Sequence, residues 1–141
     1  MLEKLFDIDL SGFIDVNRED FNFKYKGKTV IGEIKGVTSG VKISFISQLD
    51  HNVWIYRENH PEDTNDIISL LIVNPQRKLP PDKRETVQEE QIKLAERNNS
   101  LIIETPVFLN VFEKYMTKKI SREDCWSLLS ENTGILSMDE K

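Results

Sequence analysis

The sequence predicts an α/β fold, a three-layer sandwich in which helices cover both faces of a central mixed β-sheet. Three stretches predict it. "DFNFKYKGKTVIGEIKG", residues 20–36, alternates apolar and polar side chains on either side of a glycine turn, the pattern of a β-hairpin. "IISLLIVN" and "SLIIET" are aliphatic runs with no helical period, as expected of strands buried on both faces. Segments of helical period lie before, between and after them, and such alternation implies crossover helices.

The elements follow in order. "MLEKLF" reads as a partial first helix within residues 1–11. In the hairpin, residues 12–36, Phe21, Phe23 and Tyr25 fall on one face and Asp20, Asn22 and Lys24 on the other. Gly27 supplies the turn, and Val30, Ile31 and Ile34 carry the second strand, which Gly36 and "TSG" end. Ser44 is expected to cap a helix through "FISQLDHNVWIYREN", where Ile46, Leu49, Val53 and Tyr56 recur at helical spacing.

The polar stretch "ENHPEDTND" then leads into the first aliphatic strand. The loop "PQRKLPPDKRE" precedes a helix from Thr86 to about Asn98, and "SLIIET" is the next strand. Thr105 and Pro106 read as cap and first residue of a helix through "VFLNVFEKYM". Ser121 and Asp124 form a capping-box pattern before a last helix with Cys125, Trp126, Leu128 and Leu129. Residues 37–130 are thus helix and strand in alternation, and 131–141 a flexible tail, frayed beyond Gly134. No repeat or linker divides the 141 residues, which fit one domain.

Composition narrows the chemistry. With 24 acidic against 19 basic residues the formal charge is −5, so no net field draws nucleic acid and any polyanion contact must be local. One cysteine, Cys125, excludes a disulfide framework or a multi-cysteine zinc site within the chain. His51 and His60 lack metal-ligand spacing and read as solvated. The start has no basic-then-apolar leader and no stretch of about 20 apolar residues, so a soluble cytoplasmic protein without a membrane segment is expected.

The chemistry-bearing anomaly is "TVIGEIKG", where Glu33 and Lys35 interrupt an apolar strand. Two positions apart, they share a face, with Ile34 on the other. With the turn near Gly27, Asp20 falls roughly opposite Glu33, so two carboxylates and an ammonium converge. Such a group is costly to desolvate unless it pairs, binds a cation or opens to solvent. Two readings are compatible with it: a solvated hairpin with a cross-strand salt bridge, or a site for a hard divalent cation beside a phosphodiester. Glu-x-Lys by itself is commonplace; the acid on the preceding strand and the aliphatic setting give it weight.

Together these residues resemble the PD-(D/E)xK nuclease superfamily, the restriction-endonuclease-like fold. Asp20 in "REDFNF" matches its first acid, and Glu33 with Lys35 in "GEIKG" match the second half. The element order over residues 12–130, with "LLIVN" followed by a Pro- and Arg-containing loop, is similar to the Mrr-like branch. The resemblance implies a nuclease cleaving DNA as part of a restriction or defence system. It implies Mg²⁺ or Mn²⁺ on Asp20, Glu33 and the backbone carbonyl of Ile34, with Lys35 assisting the attacking water. Gln48 matches a polar helix residue near the family's site, and is otherwise a surface glutamine.

Two departures stand out. Glu19 replaces the proline that often precedes the first acid, and only "MLEKLF" stands where the family has a full first helix, Glu3 being a poor substitute for its polar residue. The chain is therefore expected to be part of a larger protein or to have lost that helix.

Lys42, Arg77 and Lys78 are candidate phosphate contacts, the last two in a basic loop with Lys83 and Arg84 that reads equally as a solvated loop. Trp54 and Tyr56 are expected to pack against the next layer rather than stack on bases. The alternative function is a catalytically inactive nuclease-fold module that binds a partner or forms a homodimer, for which the apolar late helices speak.

Overall fold

A computed structural model describes residues 2–7, 21–37, 40–76, 78–83 and 87–136. Its centre is a five-stranded mixed sheet in the order β1 (Phe21–Tyr25), β2 (Lys28–Gly36), β3 (Asp66–Asn74), β4 (Ser100–Glu104), β5 (Gly134–Ile135). β1 and β2 are antiparallel and every later pairing is parallel. The hairpin register runs from Tyr25 opposite Lys28 to Phe21 opposite Gly32. Gly27, at the turn, has φ +78°, a conformation that costs glycine nothing.

Helices cover both faces. Ile31, Leu71, Val73 and Ile102 point toward α2 (Ile43–Asn59) and α3 (Glu89–Arg97), packing on Ile46, Leu49, Tyr56 and Ala95. Val30, Leu70, Ile72, Leu101 and Ile103 point the other way, onto Leu5 and Phe6 of α1 (Leu2–Phe6), Val107 and Phe108 of α4 (Thr105–Met116), and Trp126 and Leu129 of α5 (Arg122–Ser130). β3 is central and buried from Ser69 to Val73, as its unbroken aliphatic run requires. The α/β architecture read from the sequence is therefore present, and no helix among the described residues is long and apolar enough to cross a membrane.

Phe21 explains Gly32. A Cβ built on Gly32 would stand 2.1 Å from Cζ of the Phe21 ring, so the ring lies flat on bare backbone. Phe21, Phe23, Phe6, Tyr25 and Trp126 then continue as an aromatic cluster, with centroids 4.9–6.2 Å apart at its ring contacts.

Several boundaries differ from the sequence reading. α2 starts at Ile43 with Lys42, in extended backbone, as its N-cap; Ser44 lies inside the first turn, and no side chain caps this end. α3 starts at Glu89 rather than Thr86, which lies outside the described residues; Gln88 is its N-cap, and the Gln91 side chain reaches back to accept from the Gln88 N–H at 3.0 Å, the N3 half of a capping box. Thr105 is the first residue of α4 rather than its cap, because its hydroxyl is drawn 3.3 Å to the Val73 carbonyl on β3. The Ser121–Asp124 box forms as expected, at 2.9 and 3.0 Å.

The segment after Gly134 is not frayed at its start. Gly134 and Ile135 pair with β4, and the Leu136 N–H reaches the Ile102 carbonyl at 3.0 Å. Two residues are too few to show a strand period, and an open sheet edge is what recruits them.

Candidate functional site

β2 places the anomalous charges. Glu33 shares the α2 face with Ile31 and lies opposite Leu71 of β3; Lys35 follows on the same face opposite Val73, toward the C-terminal end of the strand. Glu33 is 2% exposed. A carboxylate so deep needs donors, and Asn52 of α2, equally buried, gives it an N–H at 2.8 Å from Nδ2 to Oε1.

One turn earlier on α2, Gln48 Oε1 accepts a long hydrogen bond of 3.4 Å from Lys35 Nζ. The half-buried ammonium also stands 5.4 Å from the Phe45 ring centroid, a cation–π distance. Phe45, Gln48 and Asn52 are spaced three and four apart, so one helix face meets both charges of β2.

Of the sequence-predicted residues, Glu33, Lys35 and Gln48 are thus brought together. Asp20 and Arg77 lie outside the described residues. Asp20 is bonded to Phe21, whose partner Gly32 adjoins Glu33. Ile34 points to the face away from α2, as expected, but its side chain is 56% exposed instead of packed. Lys42 and Lys78 are exposed. Trp54 corrects the expectation that it packs, being 60% exposed with His51 stacked beside it, whereas Tyr56 is buried.

Asn52 is the site residue that sequence reasoning missed. Its signal was present: four residues after Gln48, it had to share that helix face.

A hollow of about 280 Å³ adjoins the start of α2, between the loops that follow β2 and β3. Gly40, Val41, Ile43, Pro75 and Val87 line it, and Gln91 closes it by donating from Nε2 to the Val41 carbonyl. The hollow lies beyond the C-terminal ends of parallel strands, where ligands of open α/β sheets commonly bind.

The other end of α2 carries a second polar cluster that the sequence reading passed over as a loop. Asp63 Oδ2 accepts from Thr29 Oγ1 and Tyr56 Oη, each at 2.7 Å, and Oδ1 accepts from the Asn65 N–H at 3.0 Å. The Tyr56 hydroxyl, then Thr29 and the Asn65 amide, hold the Asp63 carboxyl down to about 2. Burial, and then the hydrogen bond and negative charge of Asp63, push Tyr56 up to about 12. His60 stacks on Tyr56 at 4.1 Å. All of these bonds are internal, so the cluster locks the end of α2 to the start of β2 and leaves no reacting group open.

Among the described residues no three His, Cys, Asp or Glu side chains gather as a metal cluster. At β2 the described part of the site offers the Glu33 carboxylate, an oxygen donor of the type hard cations take, beside an ammonium and two amides. Among the described residues the site thus supplies one carboxylate, where Mg²⁺ commonly takes one or two. No family model, curated protein or solved structure matches this chain.

Proposed function

We propose that this chain is a metal-dependent phosphodiesterase that cleaves DNA, of the PD-(D/E)xK type. One observation carries the reading: a buried carboxylate and a half-buried ammonium project from one face of a strand otherwise built for the core, and each is held by an amide of the same helix. The hairpin register supports adding Asp20, since its covalent neighbour Phe21 pairs with the residue before Glu33.

In this reading Asp20, Glu33 and the carbonyl of Ile34 would hold Mg²⁺ or Mn²⁺. A bound ion would supply Lewis acidity and lower the pKa of its water. The chain's own residues do the rest. Asn52 fixes the rotamer of Glu33, so its oxygens need no reordering at the moment of reaction. Lys35 offsets negative charge on the phosphoryl oxygens and orients the water. Gln48 steadies Lys35. Lys42, Arg77 and Lys78 seat flanking phosphates, a sequence-independent contact that weakens with salt.

Supercoiled plasmid incubated with Mg²⁺ or Mn²⁺ tests this. Nicking by the wild type that is lost in Asp20→Ala, Glu33→Gln and Lys35→Ala is the expected result. Cleavage unchanged in all three variants, or absent from the wild type with either metal, overturns it.

A second reading, an inactive nuclease-fold module that dimerises, is favoured by Leu109 and Met116. Seven residues apart on one face of α4, they are 50% and 48% exposed. Light scattering that gives a dimer, reverting to monomer in Leu109→Glu, would support it.

A further inference from the structure

The candidate phosphate contacts singled out in the sequence are Lys42, at the start of α2, and a basic stretch that follows β3 in the chain, yet the described residues build a different positive groove elsewhere. It has a volume of about 510 Å³ and sits where the C-terminal turn of α4 meets α1 and the start of α5. Lys4, Lys118 and Lys119 rim it, and Tyr115, Met116 and Ile120 form an apolar floor. No carboxylate lines it, and no acidic partner lies within ion-pair distance of the three ammonium groups among the described residues. In a chain of net charge −5 three lysines around one hollow, with no acidic partner among the described residues, run against the average.

The groove is rigidly built. Lys118 takes φ +63°, and the N–H groups of Lys119 and Ile120 both reach the Lys114 carbonyl, at 2.8 and 3.3 Å, so a tight helix-ending turn carries both lysines. Arg122 ties the floor to both neighbours. Its Nε donates to the Leu5 carbonyl at 2.7 Å and its guanidinium to the Tyr115 hydroxyl at 3.2 Å, which fixes α1, α4 and α5 together. Asp124, nearby in sequence, is occupied in the Ser121 capping box. A site whose walls are already ordered binds without the cost of ordering them.

The groove is remote from Glu33. α4 begins beside Val73, at the C-terminal end of β3, and its twelve residues carry the chain about 18 Å toward the opposite end of the sheet. It also lies on the other face, against the cluster that holds Phe6 and Trp126.

We propose that this groove binds an organic phosphate of nucleotide size. Its phosphates engage Lys4, Lys118 and Lys119, and its base lies on Tyr115, Met116 and Ile120. Three ammonium groups at one rim suit a polyphosphate, whose charge is dense enough to compensate their dehydration. The apolar floor selects against a bare inorganic ion, and the volume lies in the range of small-ligand pockets.

The test is calorimetric titration of the full chain with ATP, AMP and inorganic phosphate, in EDTA so that the β2 site does not contribute. One ATP per chain is expected, bound more tightly than AMP, with inorganic phosphate weakest. Lys118→Gln with Lys119→Gln, both exposed and outside every hydrogen-bonded side-chain network described above, should weaken ATP at least tenfold, about the effect of losing charge-assisted hydrogen bonds. Circular dichroism checks that this variant is folded. Absence of ATP binding overturns the proposal. So does affinity unchanged in the double variant, inorganic phosphate binding as tightly as ATP, or a poly-glutamate peptide binding as tightly as the nucleotide.

Discussion

Replacing Asn52 by leucine probes the bond on which the candidate site rests. The side chains have the same number and branching of heavy atoms, so the change removes the 2.8 Å hydrogen bond to Glu33 without opening a cavity. Both partners are 2% exposed, so water cannot readily replace the lost donor. A hydrogen bond to a charged group contributes about 1.5–3 kcal/mol. The expected loss is about 2 kcal/mol, which for a domain of this size corresponds to a fall in Tm of roughly 5–8 °C.

Urea denaturation gives the free energy directly, provided the m-value is unchanged. The same substitution in a Glu33→Gln background should cost about half as much, because an amide oxygen accepts a weaker, neutral hydrogen bond. A cost below about 0.5 kcal/mol, or one equal in the two backgrounds, would refute the claim that Asn52 secures a buried carboxylate.

Three further outcomes follow from the packing and the polar cluster. Gly32→Ala should destabilise by about 1–3 kcal/mol, because its Cβ displaces a Phe21 ring that is 4% exposed; combining it with Phe21→Leu should recover part of the loss in a thermal melt. Asp63, held down to about 2, favours the fold at neutral pH and loses that contribution as pH falls from about 4 through 2; Tyr56, raised to about 12, loses its contribution as pH rises from about 10 through 12. Stability against pH should therefore lose its alkaline limb and part of its acid limb in Tyr56→Phe. Cys125 is 1% exposed and its thiol is pushed up to about 11, chiefly by burial, so a thiol reagent at pH 8 should label it only as fast as the chain opens, and a burst of labelling in native buffer would contradict its placement.

Much of the fold was written locally. The Phe21, Phe23, Tyr25 alternation and the glycine turn determined the hairpin, and the aliphatic runs of β3 and β4 could be read because a strand buried on both faces has no polar side to show. Glu33 and Lys35 were legible as a pair, since a period of two fixes their shared face, whereas Gln48 was indicated only by the family resemblance; that it meets Lys35 is set by the packing of α2 on the sheet. The start of α4 and the strand at Gly134 were not legible, because each depends on a neighbouring strand: Thr105 serves the Val73 carbonyl, and β5 exists because β4 offers an edge.

Sequence alone determined which residues are apolar, which alternate and which charges intrude on a strand, for these follow from the order of side chains along a chain of fixed geometry. Tertiary structure decided which intruding charges find partners. Asn52 under Glu33, Asp63 beside Thr29, and Lys4 brought to the groove of Lys118 and Lys119 are meetings of residues distant along the chain. Burial makes each polar group demand a specific donor or acceptor, and only the packed arrangement of helices on the sheet determines which one is within reach.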